Sequence, residues 1–321
     1  MIVMNHWRKY MIIKYINQEL KSGFYSKIYY ITTIFLIVLF VFMLYLNYRA
    51  VIDTYNNYVR TVNYYKDNDL DIKKDLSDDY TIEKFSGGGT ITNPILYYKD
   101  TLTRYIYSAS PKYSVSQFLE CSVIFFPLVF GILGLVIATY DYKYKTVKLK
   151  TVRISRCAFG VIKQLSIILC SLFVLVIALL ISFIVGLIIY SNLSSSVPIM
   201  DFAKTVFSSS SSIITKFIFG YIIALIYSEI GYTLGVIFKN TIAGMVAIII
   251  YIYIMPNLGS FDLKNSIYFI ASKVFNFYGT ITISEPYKTS FVNAVSVMAV
   301  ISAISIIINM IITAKRSSFD C

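Results

Sequence analysis

Between Lys27 and Arg49 lie 21 residues without a charge, and five further stretches of the chain share that character. They run from Glu120 to Asp141, from Lys163 to about Tyr190, from Lys216 to Lys239, from Thr241 to Met255 ahead of Pro256, and from Thr289 to Ala314. A hydrocarbon core about 30 Å thick is crossed by about 20 helical residues rising about 1.5 Å each. The first run holds 13 Ile, Leu, Val and Phe residues, which at roughly −0.3 to −0.6 kcal/mol apiece favour insertion by about 4 to 8 kcal/mol. The fourth contains one acid, Glu229, whose cost of about 3 kcal/mol leaves insertion favourable. The pattern predicts an all-α integral membrane protein with six transmembrane helices. Composition agrees: the 321 residues are 57% hydrophobic and 14% charged, where soluble domains are about 45–50% apolar and about 25% charged. A cleaved signal peptide would have an apolar core of about 7–15 residues and a small-residue cleavage site, so the first run reads as a retained span.

The expected order is an amphipathic interfacial helix at 1–27, transmembrane helix 1 at 28–48, a small extracellular lobe at 49–120 and helix 2 at 121–140. A loop at 141–163, helix 3 at 164–190, an outer loop at 191–216, helix 4 at 217–238 and helix 5 at 241–255 follow. The chain ends with an outer segment at 256–288 containing a short interfacial or re-entrant helix, helix 6 at 289–314 and a tail at 315–321. Tyr48, Ile52, Tyr55, Val59 and Val62 step by helical spacing, which predicts that helix 1 continues past the membrane. Asn93 before Pro94 reads as an N-cap with proline at the first helical position.

Orientation follows from the basic residues. The termini, the 141–163 loop and the 239–240 turn carry 15 Lys and Arg, against five in the outer segments once the long lobe is set aside. Short basic segments stay inside, which puts both termini and the 141–163 loop in the cytoplasm of a multi-pass cell-membrane protein. The net charge of +12 therefore marks one membrane face rather than a nucleic-acid partner.

Several chemistries are excluded. His6 is the single histidine and the four cysteines have no metal-ligand spacing, so neither a metal centre nor His-based catalysis is expected. Asp67, Asp69 and Asp71 begin like a calcium loop, but Ile72 stands where glycine is required, leaving a solvated acidic face. No GxxxxGK[ST] occurs, so the chain has no P-loop and is not expected to be an enzyme.

The densest signal is the loop at 141–163, with seven basic residues and one acid. On charge alone it reads as an anchor for anionic lipid. Its order also resembles the coupling loop of type-2 ABC exporter permeases: Asp141 and Tyr142 after the second span, Thr146, a short helix over 147–152, then Ser155, Arg156 and Lys163. It departs from that pattern in having Lys145 where glycine is common, a helix one residue shorter, and no proline before Ser155. The basic amino-terminal helix, with Trp7, Tyr10 and Glu19, is similar to the family's connecting helix, and the segment from Gly231 to Ile248 to its fourth-to-fifth span junction.

The resemblance implies that Asp141, Tyr142, Thr146, Lys148, Leu149, Arg153 and Arg156 couple the permease to a separate ATPase. The implied assembly has two ATPase subunits and a second permease, identical or related, with ATP and Mg²⁺ on the partner and no cofactor on this chain. Membrane lipid is a further expected partner, and the tyrosine-rich lobe suits an amphipathic substrate such as a peptide, toxin or drug. Glu229 lies about 15 Å along the helix from Lys239, near mid-membrane. It reads either as part of a translocation path or as a hydrogen-bonded structural acid paired with Asn309 or a tyrosine. Gly231 and Gly235 form a GxxxG that permits close helix packing. The alternative functions are a ligand-binding membrane receptor or immunity protein and an ion-coupled secondary transporter using Glu229.

Overall fold

Apolar runs of this length fold as helices because a segment with no water around it must satisfy its backbone polar groups within itself. The computed structural model describes residues 2–85, 88–202, 211–279 and 281–315, with side chains from residue 13 onward except at 84, 85, 88 and 148. Helix α1 spans Ile2–Tyr25 and α2 spans Ile28–Asp67, with Lys27 in the left-handed region (φ 62°) turning the chain between them. At 40 residues α2 is about 60 Å long, twice the thickness of a hydrocarbon core. Its second half is the post on which the 68–120 region is built.

The buried line along α2 passes through Leu36, Phe40, Leu44, Asn47, Val51 and Thr54. It therefore lies one residue away from the expected stripe of Tyr48, Ile52 and Tyr55, which pack half-buried around Leu102, Leu193 and Phe202. Aromatic rings with a polar tip suit that border position, while the smaller Val51 and Thr54 approach the neighbouring helices.

Beyond α2 come α3 (Ile72–Ser77), an antiparallel hairpin of β1 (Ile82–Phe85) and β2 (Gly88–Ile91), α4 (Pro94–Ala109) and α5 (Pro111–Glu120). The hairpin, pairing Glu83 with Thr90, is a departure from an all-α chain. Asn93 holds the N-cap position of α4 with Pro94 at the start of the helix, as expected, but its side chain does not cap: the residue is left-handed (φ 51°) and its amide donates to the carbonyls of Asp78 and Asp79. The cap comes from a distance, as buried Asp75 of α3 accepts from the Ile95 backbone N–H at 2.8 Å.

A 3₁₀ turn at Cys121–Val123 leads to α6 (Phe126–Lys143), α7 (Thr146–Arg153), α8 (Arg156–Ser196), α9 (Ile199–Phe202) and α10 (Ile213–Phe238). Part of the serine run at 208–212 lies outside the described residues. The chain continues as α11 (Thr241–Ile249), extended by a π-helical turn to Ile254, then α12 (Leu263–Val274) and α13 (Phe291–Lys315). Helices α2, α6, α8, α10 and α13 are long and apolar enough to cross a membrane.

The expected fifth span is shorter. Residues 241–254 give 14 helical residues, about 21 Å, below the thickness of a hydrocarbon core. Its end is closed by α12, where Lys264 Nζ donates to the carbonyls of Tyr251 (3.0 Å) and Met255 (2.5 Å). Asp262 caps α12 through the Lys264 N–H and accepts from the Tyr251 hydroxyl. The segment after α11 is thus a folded return.

The centre of the bundle is the parallel pair α6 and α10. A Cβ on Gly134 would stand 1.9 Å from the Ser228 carbonyl oxygen, and one on Gly231 1.9 Å from that of Gly131. One on Gly235 would meet Ala138 Cβ at 2.6 Å. The GxxxG face of α10 is therefore filled by α6 of the same chain. Gly134→Ala and Gly231→Ala are expected to destabilise the detergent-solubilised protein by about 1–3 kcal/mol each, read as a lower thermal midpoint. Gly160→Ala, whose new methyl would meet the flexible Met310 side chain, should change the midpoint much less.

Candidate functional site

The acids of the basic segments are few: Glu19 in 1–27, Asp141 in 141–163, and Asp320 in the tail beyond the described residues. The fold brings the first two together. Lys150 Nζ lies 2.5 Å from Glu19 and 2.7 Å from Asp141, while Lys163 Nζ lies 2.6 Å from Glu19 and 2.5 Å from Asp141. Two acids and two lysines alternate around a closed, formally neutral ring. Its members come from α1, α6, α7 and α8, so four elements are joined through one polar knot. Asp141 and Lys163 are 2% and 3% exposed, whereas Lys150 and Glu19 form the wetter edge.

Local structure explains how α7 reaches the ring. Lys145 adopts a left-handed conformation (φ 55°) and reverses the chain after α6. Thr146 then donates its hydroxyl to Asp141 at 2.6 Å, and one turn later Lys150 meets the same carboxylate oxygen. Val147 packs against Phe159 and Tyr142, fixing the inward face. Ser155 opens α8 as its N-cap, accepting from the Ala158 N–H. The outward face is unlike the inward one: Leu149 is 70% and Val152 87% exposed, with Arg153 and Lys145 beside them.

Asp141 and Thr146 of the expected coupling residues sit in the ring or against it. Tyr142 lies under the Lys239 ammonium, 5.8 Å from its ring centre, which ties the α10–α11 turn to the same region. Leu149 and Arg153 face outward, and half-buried Arg156 opens α8. The side chains of Lys148, Trp7 and Tyr10 lie outside the described residues. Glu19, expected as part of an interfacial helix, is a ring member, and Lys150 completes a site for which neighbouring Lys148 and Leu149 were the expected residues. The signal that points to it is charge: a lone acid in a basic segment is the natural partner of a lysine that must be buried.

Ionisable side chains are also buried elsewhere in the bundle. Glu229 accepts from the Asn309 amide at 3.4 Å, within reach of α8 through Gln164. At the opposite end of the bundle, Tyr113 donates to Glu120 at 2.6 Å and Lys216 donates to Ser116 at 2.6 Å. Burial raises the Glu120 carboxyl above its ordinary range, opposed in part by the Tyr113 hydrogen bond and the Lys216 charge. Among the described residues no cluster of metal-ligating side chains occurs. Comparison with protein-family models, curated proteins and solved structures returns no match.

Breaking a buried ion pair on one side leaves an uncompensated charge, so Lys163→Met should destabilise by about 3–5 kcal/mol, with part recovered in the Lys163→Met, Asp141→Asn double variant. Thermal unfolding in detergent measures both. Lys145→Gly relieves a left-handed non-glycine residue and is expected to raise stability by about 1 kcal/mol.

Proposed function

We propose that the chain is the permease subunit of an ATP-driven exporter, and that α7 is the element by which a separate ATPase engages it. The observation that carries this reading is the two-sidedness of α7. An eight-residue helix is too short to persist alone, and this one is held on its inward face by Val147 and the four-charge ring. Outward it offers Leu149 and Val152, an exposed apolar pair bordered by Lys145 and Arg153. Such a surface fits the apolar centre and polar rim of a protein contact.

The ring gives that contact a consequence. A load on α7 is passed through Lys150 to α1 and α6 rather than absorbed by a slack loop, and through Glu19 and Asp141 to Lys163 of α8. Two such subunits, identical or related, would be moved between two conformations by a pair of ATPases that hold ATP and Mg²⁺. The reading places α1, α7 and both termini in the cytoplasm of a cell-membrane protein, consistent with the 15 basic residues of those segments. The transported molecule is an amphipathic peptide, toxin or drug, which the tyrosine-rich opposite end and the apolar helices suit.

The test is purification from native membranes. A co-purifying polypeptide with a GxxxxGK[ST] motif and ATPase activity stimulated by the permease is expected. Leu149→Asp with Val152→Asp should reduce its recovery at least tenfold while leaving membrane insertion and the thermal midpoint of the permease unchanged. Recovery of no such ATPase, or undiminished recovery with the double variant, would overturn the proposal.

A further inference from the structure

Glu229 lines one side of a cavity of about 430 Å³ between α8, α10, α12 and α13. The remaining wall is apolar, including Ile168, Phe219, Ile226 and Met298, with Ser302 as a small polar exception, and no other ionisable residue borders it. Ile168, Phe291 and Val295 are themselves exposed on their helices, so the cavity opens sideways toward the surface that the bilayer would cover.

The surroundings of the carboxylate are short of donors. Its hydrogen-bonding neighbours are two neutral amides, Asn309 and Gln164. An amide that donates through its nitrogen leaves its oxygen over, and Asn309 Oδ1 and Gln164 Oε1 are both buried without a partner among the described residues. The nearby ammonium, Lys163, is committed to Glu19 and Asp141. A carboxylate bordering an apolar chamber, with only two neutral amides as its hydrogen-bonding neighbours, matches a group that carries one positive charge. An apolar chamber of this size matches the body attached to such a group.

We infer that this cavity is a binding site for an amphipathic ammonium ion, a protonated amine on an apolar or aromatic body, with Glu229 as its counter-charge. The wall of α8, α10, α12 and α13 takes up the apolar part. The inference is independent of the ATPase partner, since it concerns binding to this chain alone.

The experiment uses the full chain in nanodiscs of zwitterionic lipid and three probes of one shape: 6-phenylhexylammonium, 6-phenylhexanol and 6-phenylhexanoate. Calorimetry or ligand-observed NMR is expected to show the ammonium binding at least tenfold more tightly than the alcohol, and the carboxylate not binding. Glu229→Gln should weaken the ammonium at least tenfold and leave the alcohol unchanged. Ala299→Phe, which adds a ring to the chamber wall and leaves the carboxylate in the chain, should weaken both. If the three probes bind alike, or if Glu229→Gln leaves the ammonium affinity unchanged in a protein with an unaltered thermal midpoint, the cavity holds lipid tails only and the inference is overturned. Because no nucleotide or partner is involved, either result leaves the ATPase reading to its own test.

Discussion

A lysine buried at the end of an apolar bundle is tolerable only with its counter-charges in place, since removing an ion from water costs several kcal/mol before any partner is found. Lys163 is such a residue, and the four-charge ring is its answer. Because the partners of Lys163 come from α1 and α6, and the second lysine from α7, those elements cannot take other relative positions without exposing the same cost. Alternation of sign means that each carboxylate sees two ammonium groups and each ammonium two carboxylates. Removing one member therefore unbalances two neighbours, which makes the arrangement cooperative.

From the ring, contacts run without a break to the centre of the molecule. Asp141 sits near the end of α6, and α6 carries Gly131 and Gly134 into backbone contact with Ser228 and Gly231 of α10. Glu229 lies between those two α10 residues, so the turn that packs against α6 on one side presents its carboxylate to the cavity on the other. Glycine is needed at 134 and 231 because any side chain there would meet a carbonyl at 1.9 Å. The closeness of the two backbones makes the pair a stiff link between the polar knot and the chamber.

The spans were legible because their signal is composition: a run free of charge has few other fates. Five appear as helices of spanning length, and the remaining run, the expected fifth span from Thr241, is only 14 helical residues long and is closed by Asp262 and Lys264, which lie beyond its end and fold back onto it. The stripe on α2 was legible in period but displaced by one residue, since half-buried tyrosines mimic a core-facing position. Capping of α4 by Asp75 was not legible, as it spans 20 residues of sequence around a hairpin. Part of the ring was readable: Glu19 and Asp141 stand out as lone acids among basic residues. Which lysines they hold was not, because the inward place of Lys150 depends on the reversal of the chain at Lys145, which sequence spacing does not show.

The two ends of the bundle solve one problem in different ways. Where α7 packs, charge is met by charge, with two lysines and two carboxylates in formal balance. At the other end, Glu120 and Lys216 are both buried and within mutual influence, but each is served directly by a hydroxyl: Tyr113 for the acid and Ser116 for the base. The Tyr113 hydroxyl also accepts from the Tyr278 N–H at 3.0 Å, which pins the 275–279 segment to α5. Hydroxyl-mediated contacts are weaker individually than direct ion pairs, so this end resists rearrangement less than the ring does.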